Sequence, residues 1–167
     1  MGDDQSMLFK KVVTTIKKHK IFVFILIIGG FLRFYRLGYY GFWLDEIFSV
    51  LRAEQGLSYL LNRTSNFNIT YFFILVELLV GTSEFIVRFY SAFFGVLGIV
   101  AVYLVGSKFF SKRLAIVSTF VLSFNYFHIY YSQEARYYSV VFFFSVLSLY
   151  FLLLWLTYKN ARYIFFL

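Results

Sequence analysis

The stretch Ile69-Thr70-Tyr71-Phe72-Phe73-Ile74-Leu75-Val76-Glu77-Leu78-Leu79-Val80 is apolar apart from Thr70 and Glu77. Whether it crosses a bilayer decides which side every later loop faces. Counted from Asn68, it makes a helix roughly 20 Å long against a hydrocarbon core of about 30 Å. Burying Glu77 adds a cost of a few kcal/mol, by analogy with the roughly 2.5–3.5 kcal/mol for Asp near the centre of a span. Length and charge both weigh against a crossing.

The flanking charges weigh the same way. If residues 69–80 stay at the surface, Lys10, Lys11, Lys17, Lys18, Lys20, Lys108, Lys112, Arg113, Lys159 and Arg162 all face the cytoplasm, ten of the sixteen basic residues. If the segment crosses, only the five N-terminal lysines with Arg88 and Arg136 do so. The positive-inside rule favours the surface segment. Asp45, Glu46, Glu54, Glu77, Glu84 and Glu134 then share the outer side, which hints at a common site.

Composition sets the class. The 167 residues are 61% hydrophobic, 25% aromatic and 14% charged, with a mean hydropathy of +0.76. A soluble domain averages about 45–50% apolar and about 25% charged residues, so lipid is the solvent for much of this chain. The net charge of +8 sits in short clusters between apolar runs, as orientation signals do, and not in a nucleic-acid-binding stripe. With no cysteine, disulfides and thiolate metal sites are excluded. The N-terminal basic run precedes an apolar one with no small-residue cleavage site, and reads as an uncleaved anchor.

The expected fold is an all-α polytopic membrane protein. A basic cytoplasmic segment (1–20) precedes spans at 21–37, 89–106, 114–131 and 140–158. The external loop 38–88 carries juxtamembrane helices: an amphipathic one from Asp45 to Leu61, weakened at Gly56, lying in the interface plane, and Ile69–Val80 packed beside it. Arg33 and Arg36 snorkel at the outer end of the first span. A fifth apolar run starts at Tyr163 and reaches Leu167, implying the N-terminal part of a longer protein.

Several residues carry possible chemistry. Asp45 and Glu46 follow the aromatic Gly41-Phe42-Trp43-Leu44; partly desolvated, they suit a general base or a divalent cation, or they cap the next helix. Glu134 and Arg136, within Tyr130-Tyr131-Ser132-Gln133-Glu134-Ala135-Arg136-Tyr137-Tyr138, suit a metal ion or a phosphate, or form an interfacial ion pair in an aromatic belt. His128 is a metal ligand, a proton donor, or simply a hydrogen-bonded histidine at a span's end, and His19 reads as a cytoplasmic surface residue. Ser91 and Gly95 permit close helix packing. Asn62-Arg63-Thr64 and Asn68-Ile69-Thr70 match the glycosylation acceptor pattern.

In this order the segments resemble a known family. Leu32-Arg33-Phe34-Tyr35-Arg36-Leu37-Gly38 and Trp43-Leu44-Asp45-Glu46 are similar to the opening of the GT-C glycosyltransferases that use lipid-phosphate-linked sugars. This group contains the protein O-mannosyltransferases and the aminoarabinose transferase of lipid A. The likeness continues through Asn68-Ile69-Thr70-Tyr71-Phe72, Gly81-Thr82-Ser83-Glu84-Phe85-Ile86-Val87-Arg88 and Phe127-His128-Ile129-Tyr130-Tyr131 into the Glu134 loop.

The resemblance implies a glycosyltransferase at the outer face of the plasma membrane, N-terminus cytoplasmic, with juxtamembrane helices over the site. Its substrates would be a polyprenyl-phosphate-sugar donor and a protein, lipid or glycan acceptor. Asp45 would be the catalytic base of an inverting transfer. Glu46, Asn68, Arg136, Tyr131 and Tyr137 would serve donor or acceptor binding, and Glu134 with His128 a divalent metal ion. Many members carry Pro-Pro before the second juxtamembrane helix; this proline-free chain has Ile69-Thr70 there, nearer to subfamilies with Asn-Met-x, which implies that Asn68 lines the site. The rival readings are a transporter or lipid flippase component with a path lined by Asp45, Glu46 and Glu134, or a truncated, inactive protein that keeps only the fold.

Overall fold

The computed structural model describes residues 19–63, 69–160 and 162, with side chains other than those of residues 60–70. Asn68, the segment 1–18 and the run 163–167 lie outside the described residues. Eight helices form among them: α1 (Lys20–Phe34), α2 (Leu44–Glu54), α3 (Gly56–Arg63), α4 (Ile69–Leu78), α5 (Glu84–Phe109), α6 (Lys112–Phe124), α7 (Tyr126–Ser132) and α8 (Tyr138–Tyr158). The fold is all-α. Two helices, α5 and α8, are each long and apolar enough to cross a membrane, and α6 with α7 passes the same test as a pair bent by 61°. At 15 residues, α1 is about 22 Å long.

Local chemistry sets the helix ends. Ser83 Oγ accepts from Ile86 N at 3.4 Å to start α5, and Ser111 Oγ accepts from Leu114 N at 3.2 Å to start α6. These are ordinary N-caps, each satisfying one backbone donor with no intrahelical partner. The same device splits what reads in sequence as one span over 114–131. Asn125 takes an extended backbone (ψ 119°) and its Oδ1 accepts from His128 N at 2.9 Å, so α6 stops and α7 begins in a new direction without a proline.

The amphipathic segment expected over 45–61 is also two helices. Gly56, at φ +82°, lies in the left-handed region that glycine enters at little cost, and the axis breaks there. The first helix stops at Phe34 instead of running on to Leu37. Tyr35 to Tyr39 form turns, with Arg36 itself left-handed at φ 57° and its guanidinium 4.7 Å from the Tyr39 ring.

α5 is the central element, packed against α1, α6 and α8. Small residues let the backbones approach, as in membrane helix packing generally. A Cβ on Gly106 would lie 2.7 Å from Ala115 Cα on α6, and one on Gly98 would lie 2.9 Å from the Phe142 ring on α8. Ser91 and Gly95 play the packing part expected of them: Ser91 Oγ lies 2.9 Å from Ser139 Oγ, and Gly95 faces Ser132. Away from the loops, His19 Nδ1 meets Tyr103 Oη at 2.6 Å, so His19 is half-buried and not a bare surface residue.

At the other end, α2 packs on α4, and α4 packs on α5. Arg52 Nη1 on α2 donates to Tyr71 Oη on α4 at 2.6 Å, and Phe73 stacks on Tyr90 at 5.2 Å. Ala53, Ile74, Val87, Tyr90, Ala135 and Val140 form the buried cluster beneath. α2 buries Glu46, Ser49 and Ala53 and leaves Leu44, Ile47, Phe48 and Leu51 exposed. Its inward face is therefore the polar one.

Candidate active site

Asp45 and Glu46 occupy the first turn of α2 and point to different fates. Glu46 is fully buried. Its Oε1 accepts from Arg88 Nε at 2.9 Å and from Ala135 N at 2.7 Å. Oε2 accepts from Arg88 Nη2 at 2.6 Å and from Trp43 N at 3.3 Å. One carboxylate thus joins α2 to α5 and to the loop before α8. A buried charge is tolerable when its lone pairs are filled in this way.

Arg88 extends the lock. Its Nη1 donates to Leu37 O at 3.0 Å and Tyr40 O at 2.8 Å, and Nη2 to Gly41 O at 3.1 Å. The loop joining α1 to α2 has few backbone bonds of its own, and this guanidinium supplies partners for its carbonyls. Phe42 lies 5.5 Å beneath the guanidinium. In sequence Arg88 counts toward topology and closes one of the family-like motifs, with no site role.

Asp45 is left partly open. Its side chain is 45% exposed, with Arg136 Nη2 3.7 Å from Oδ2. Glu134 is buried. Burial raises its carboxyl above the usual range, against a hydrogen bond from Tyr130; Glu46 adds to the rise, and Arg136 and Arg88 oppose it. Asp45, Glu46, Glu134 and Arg136 are thus brought together at one end of the bundle. Beside them a cavity of about 280 Å³ is lined by Arg36, Leu37, Tyr40, Trp43, Glu46, Arg88, Tyr130, Gln133 and Glu134. Asp45 stands next to this lining and not in it.

Other expected site residues lie elsewhere. Tyr131 and His128 line a second cavity of about 360 Å³, with Leu122, Phe127, Tyr138 and Phe142, between α6–α7 and α8. Tyr137 lies 4.8 Å from the Tyr138 ring, with the Arg136 guanidinium 6.0 Å from its own ring. His128 Nδ1 accepts from Arg33 Nη2 at 2.9 Å, so a guanidinium already occupies the lone pair a metal ion would need. His128 and Glu134 line different cavities. Arg33 corrects a second expectation: it is fully buried and does not snorkel.

The family model for dolichyl-phosphate-mannose-protein mannosyltransferases matches residues 67–167, more than half the chain. The chain belongs to this family, within the GT-C glycosyltransferases. The matched region holds Arg88, Glu134 and Arg136, while Asp45 and Glu46 precede it. No curated protein and no solved structure matches the chain.

Proposed function

We propose that this membrane protein transfers a sugar, with inversion, from a polyprenyl-phosphate donor to an acceptor hydroxyl at the outer face of the plasma membrane. Asp45 is the general base. One observation carries the assignment. Of two adjacent carboxylates, Glu46 has both oxygens engaged in a buried lock, whereas Asp45 is half-exposed beside Arg136 at the edge of a cavity. Only a carboxylate with open lone pairs can take a proton from substrate.

In the reaction the acceptor oxygen bonds to the sugar C1 as Asp45 removes its proton. The C1–O bond to phosphate breaks, and the lipid phosphate leaves with its electrons. Arg136 is placed to meet the phosphate oxygens, with Tyr137 beside it. The lipid chain lies along the spans, for which the aromatic-walled cavity at Tyr131 gives room. No step is assigned to a metal ion. A transport path is less well supported, because these carboxylates sit at the bundle's end and Glu46 is immobilised.

In this reading α1, α5, the α6–α7 pair and α8 span the bilayer with the N-terminus cytoplasmic, and α2 to α4 lie on the outer surface. Asp45→Asn should abolish sugar transfer from a polyprenyl-phosphate donor, by on the order of 100-fold or more, at unchanged expression. Retained transfer would rule out the base. Since the chain has no cysteine, a cysteine placed at exposed Thr82 should label from outside, and one at exposed Ser111 from the cytoplasm. The reverse pattern would overturn the topology.

A further inference from the structure

The break at Asn125 takes from the last carbonyls of α6 the i+4 donors a continuous span would supply, and leaves Leu122 O with a long backbone bond of 3.3 Å from Asn125 N. In a membrane each orphaned carbonyl is expensive. Arg33, reaching across from α1, meets them. Its Nη1 donates to Ser123 O at 3.3 Å and its Nη2 to Leu122 O at 3.2 Å. The remaining Nη hydrogens go to Gly29 O at 2.7 Å, on its own helix, and to His128 Nδ1 at 2.9 Å, on α7. One fully buried guanidinium thus touches both limbs of the bent pair.

The return contact comes from the other side of the bend. Gln133, just past α7, donates from Nε2 to Leu32 O at 2.9 Å and to Tyr35 O at 3.0 Å, two carbonyls at the C-terminus of α1. Each broken end is therefore capped by the other's side chain. The crossing is tight: a Cβ on Gly95 of α5 would lie 2.7 Å from Ser132 Cβ and 3.2 Å from Arg33 Cδ. Glu134 and Ala135, whose N–H holds Glu46, follow Gln133 directly.

We propose that Arg33 and Gln133 form a two-way clasp that fixes the bend between α6 and α7 and so positions the Glu134 loop against Glu46 and the 280 Å³ cavity. Both are positioning residues; neither carries the reaction. Arg33 sets the angle by capping α6 while holding His128. Gln133 sets the loop's height by tying it to the end of α1. A straight α6–α7 span would leave Arg33 without its acceptors on α6 and α7 and move Ala135 away from Glu46.

The structural arm of the test does not need activity, while the kinetic arm rests on the proposed transferase reading. Spin labels on cysteines at exposed Val117 and Tyr130 report the bend in the membrane-embedded chain. Arg33→Gln should lengthen their separation toward the roughly 20 Å that thirteen residues span in a straight helix. Arg33→Lys, with a single ammonium in place of the fork, should fall between. In unlabelled protein, Gln133→Ala and Arg33→Lys should lower kcat about tenfold, the scale of a slight misplacement of reacting groups, with the donor KM within about twofold.

If Arg33→Gln does not accumulate, Arg33→Lys and Gln133→Ala decide. An unchanged label separation in the Arg33 variants, or an unchanged kcat in Gln133→Ala, overturns the clasp. If the unaltered protein transfers no sugar, the transferase reading falls and the separation alone decides the clasp.

Discussion

Glu46 on α2 and Arg88 on α5 form an ion pair of 2.6 Å, their side chains 0% and 7% exposed, and together they close one end of the helix bundle. The loop before α2, the turn before α8 and the central helix all end on this pair. Replacing Glu46 with Gln or Arg88 with Met should each cost about 3–5 kcal/mol, because each leaves its partner charged and buried. The double variant should cost less than the two singles added. Thermal unfolding in detergent measures this, and singles within about 1 kcal/mol of the parent protein would show that water reaches the pair.

Asp45 should behave in the opposite way. Its contact with Arg136 is long and half-exposed, so Asp45→Asn should change stability by no more than about 1 kcal/mol while removing transfer. Two neighbouring carboxylates then separate by experiment, one structural and one chemical. A large drop in unfolding temperature for Asp45→Asn would assign Asp45 to the fold instead.

Glu77 on α4 makes stability depend on pH. Burial pushes its carboxyl up to about 8 from an ordinary 4.5, although Tyr90 N–H donates to it and works the other way. Between these values the folded chain holds a proton that the unfolded chain has released. This contribution to stability is therefore intact below about pH 4.5 and is lost as pH rises toward 8. Unfolding temperature followed from pH 5 to 9 should fall, and Glu77→Gln should flatten the curve. An identical slope in the variant would exclude Glu77 as its source.

The glycines are not equivalent. At Gly106 an added Cβ meets the Ala115 backbone, with N at 3.2 Å as well as Cα at 2.7 Å, whereas at Gly41 nothing lies within 4 Å. Gly106→Ala should cost about 1–3 kcal/mol by overpacking α5 against α6, and Gly41→Ala should fall within about 0.5 kcal/mol. Equal losses would mean that α5 and α6 do not approach as closely as described.

Helix content, the amphipathic α2 and the separate α4 were legible along the chain, because hydrophobic runs, caps and Gly56 act over a few residues. The ordered motifs pointed to the family that the match over residues 67–167 shows. That Glu46 is locked away while the neighbouring Asp45 stays half-exposed was not legible. It depends on Arg88, 42 residues from Glu46, and on a backbone N–H of Ala135. The break at Asn125 is local in its cap, but the angle is held by Arg33, 90 residues from Ser123, and by Gln133, 101 residues from Leu32. Periodicity reports which residues face inward. Which buried charge finds which partner is decided only when the helices pack, because a desolvated charge takes whatever complementary group the fold brings within reach.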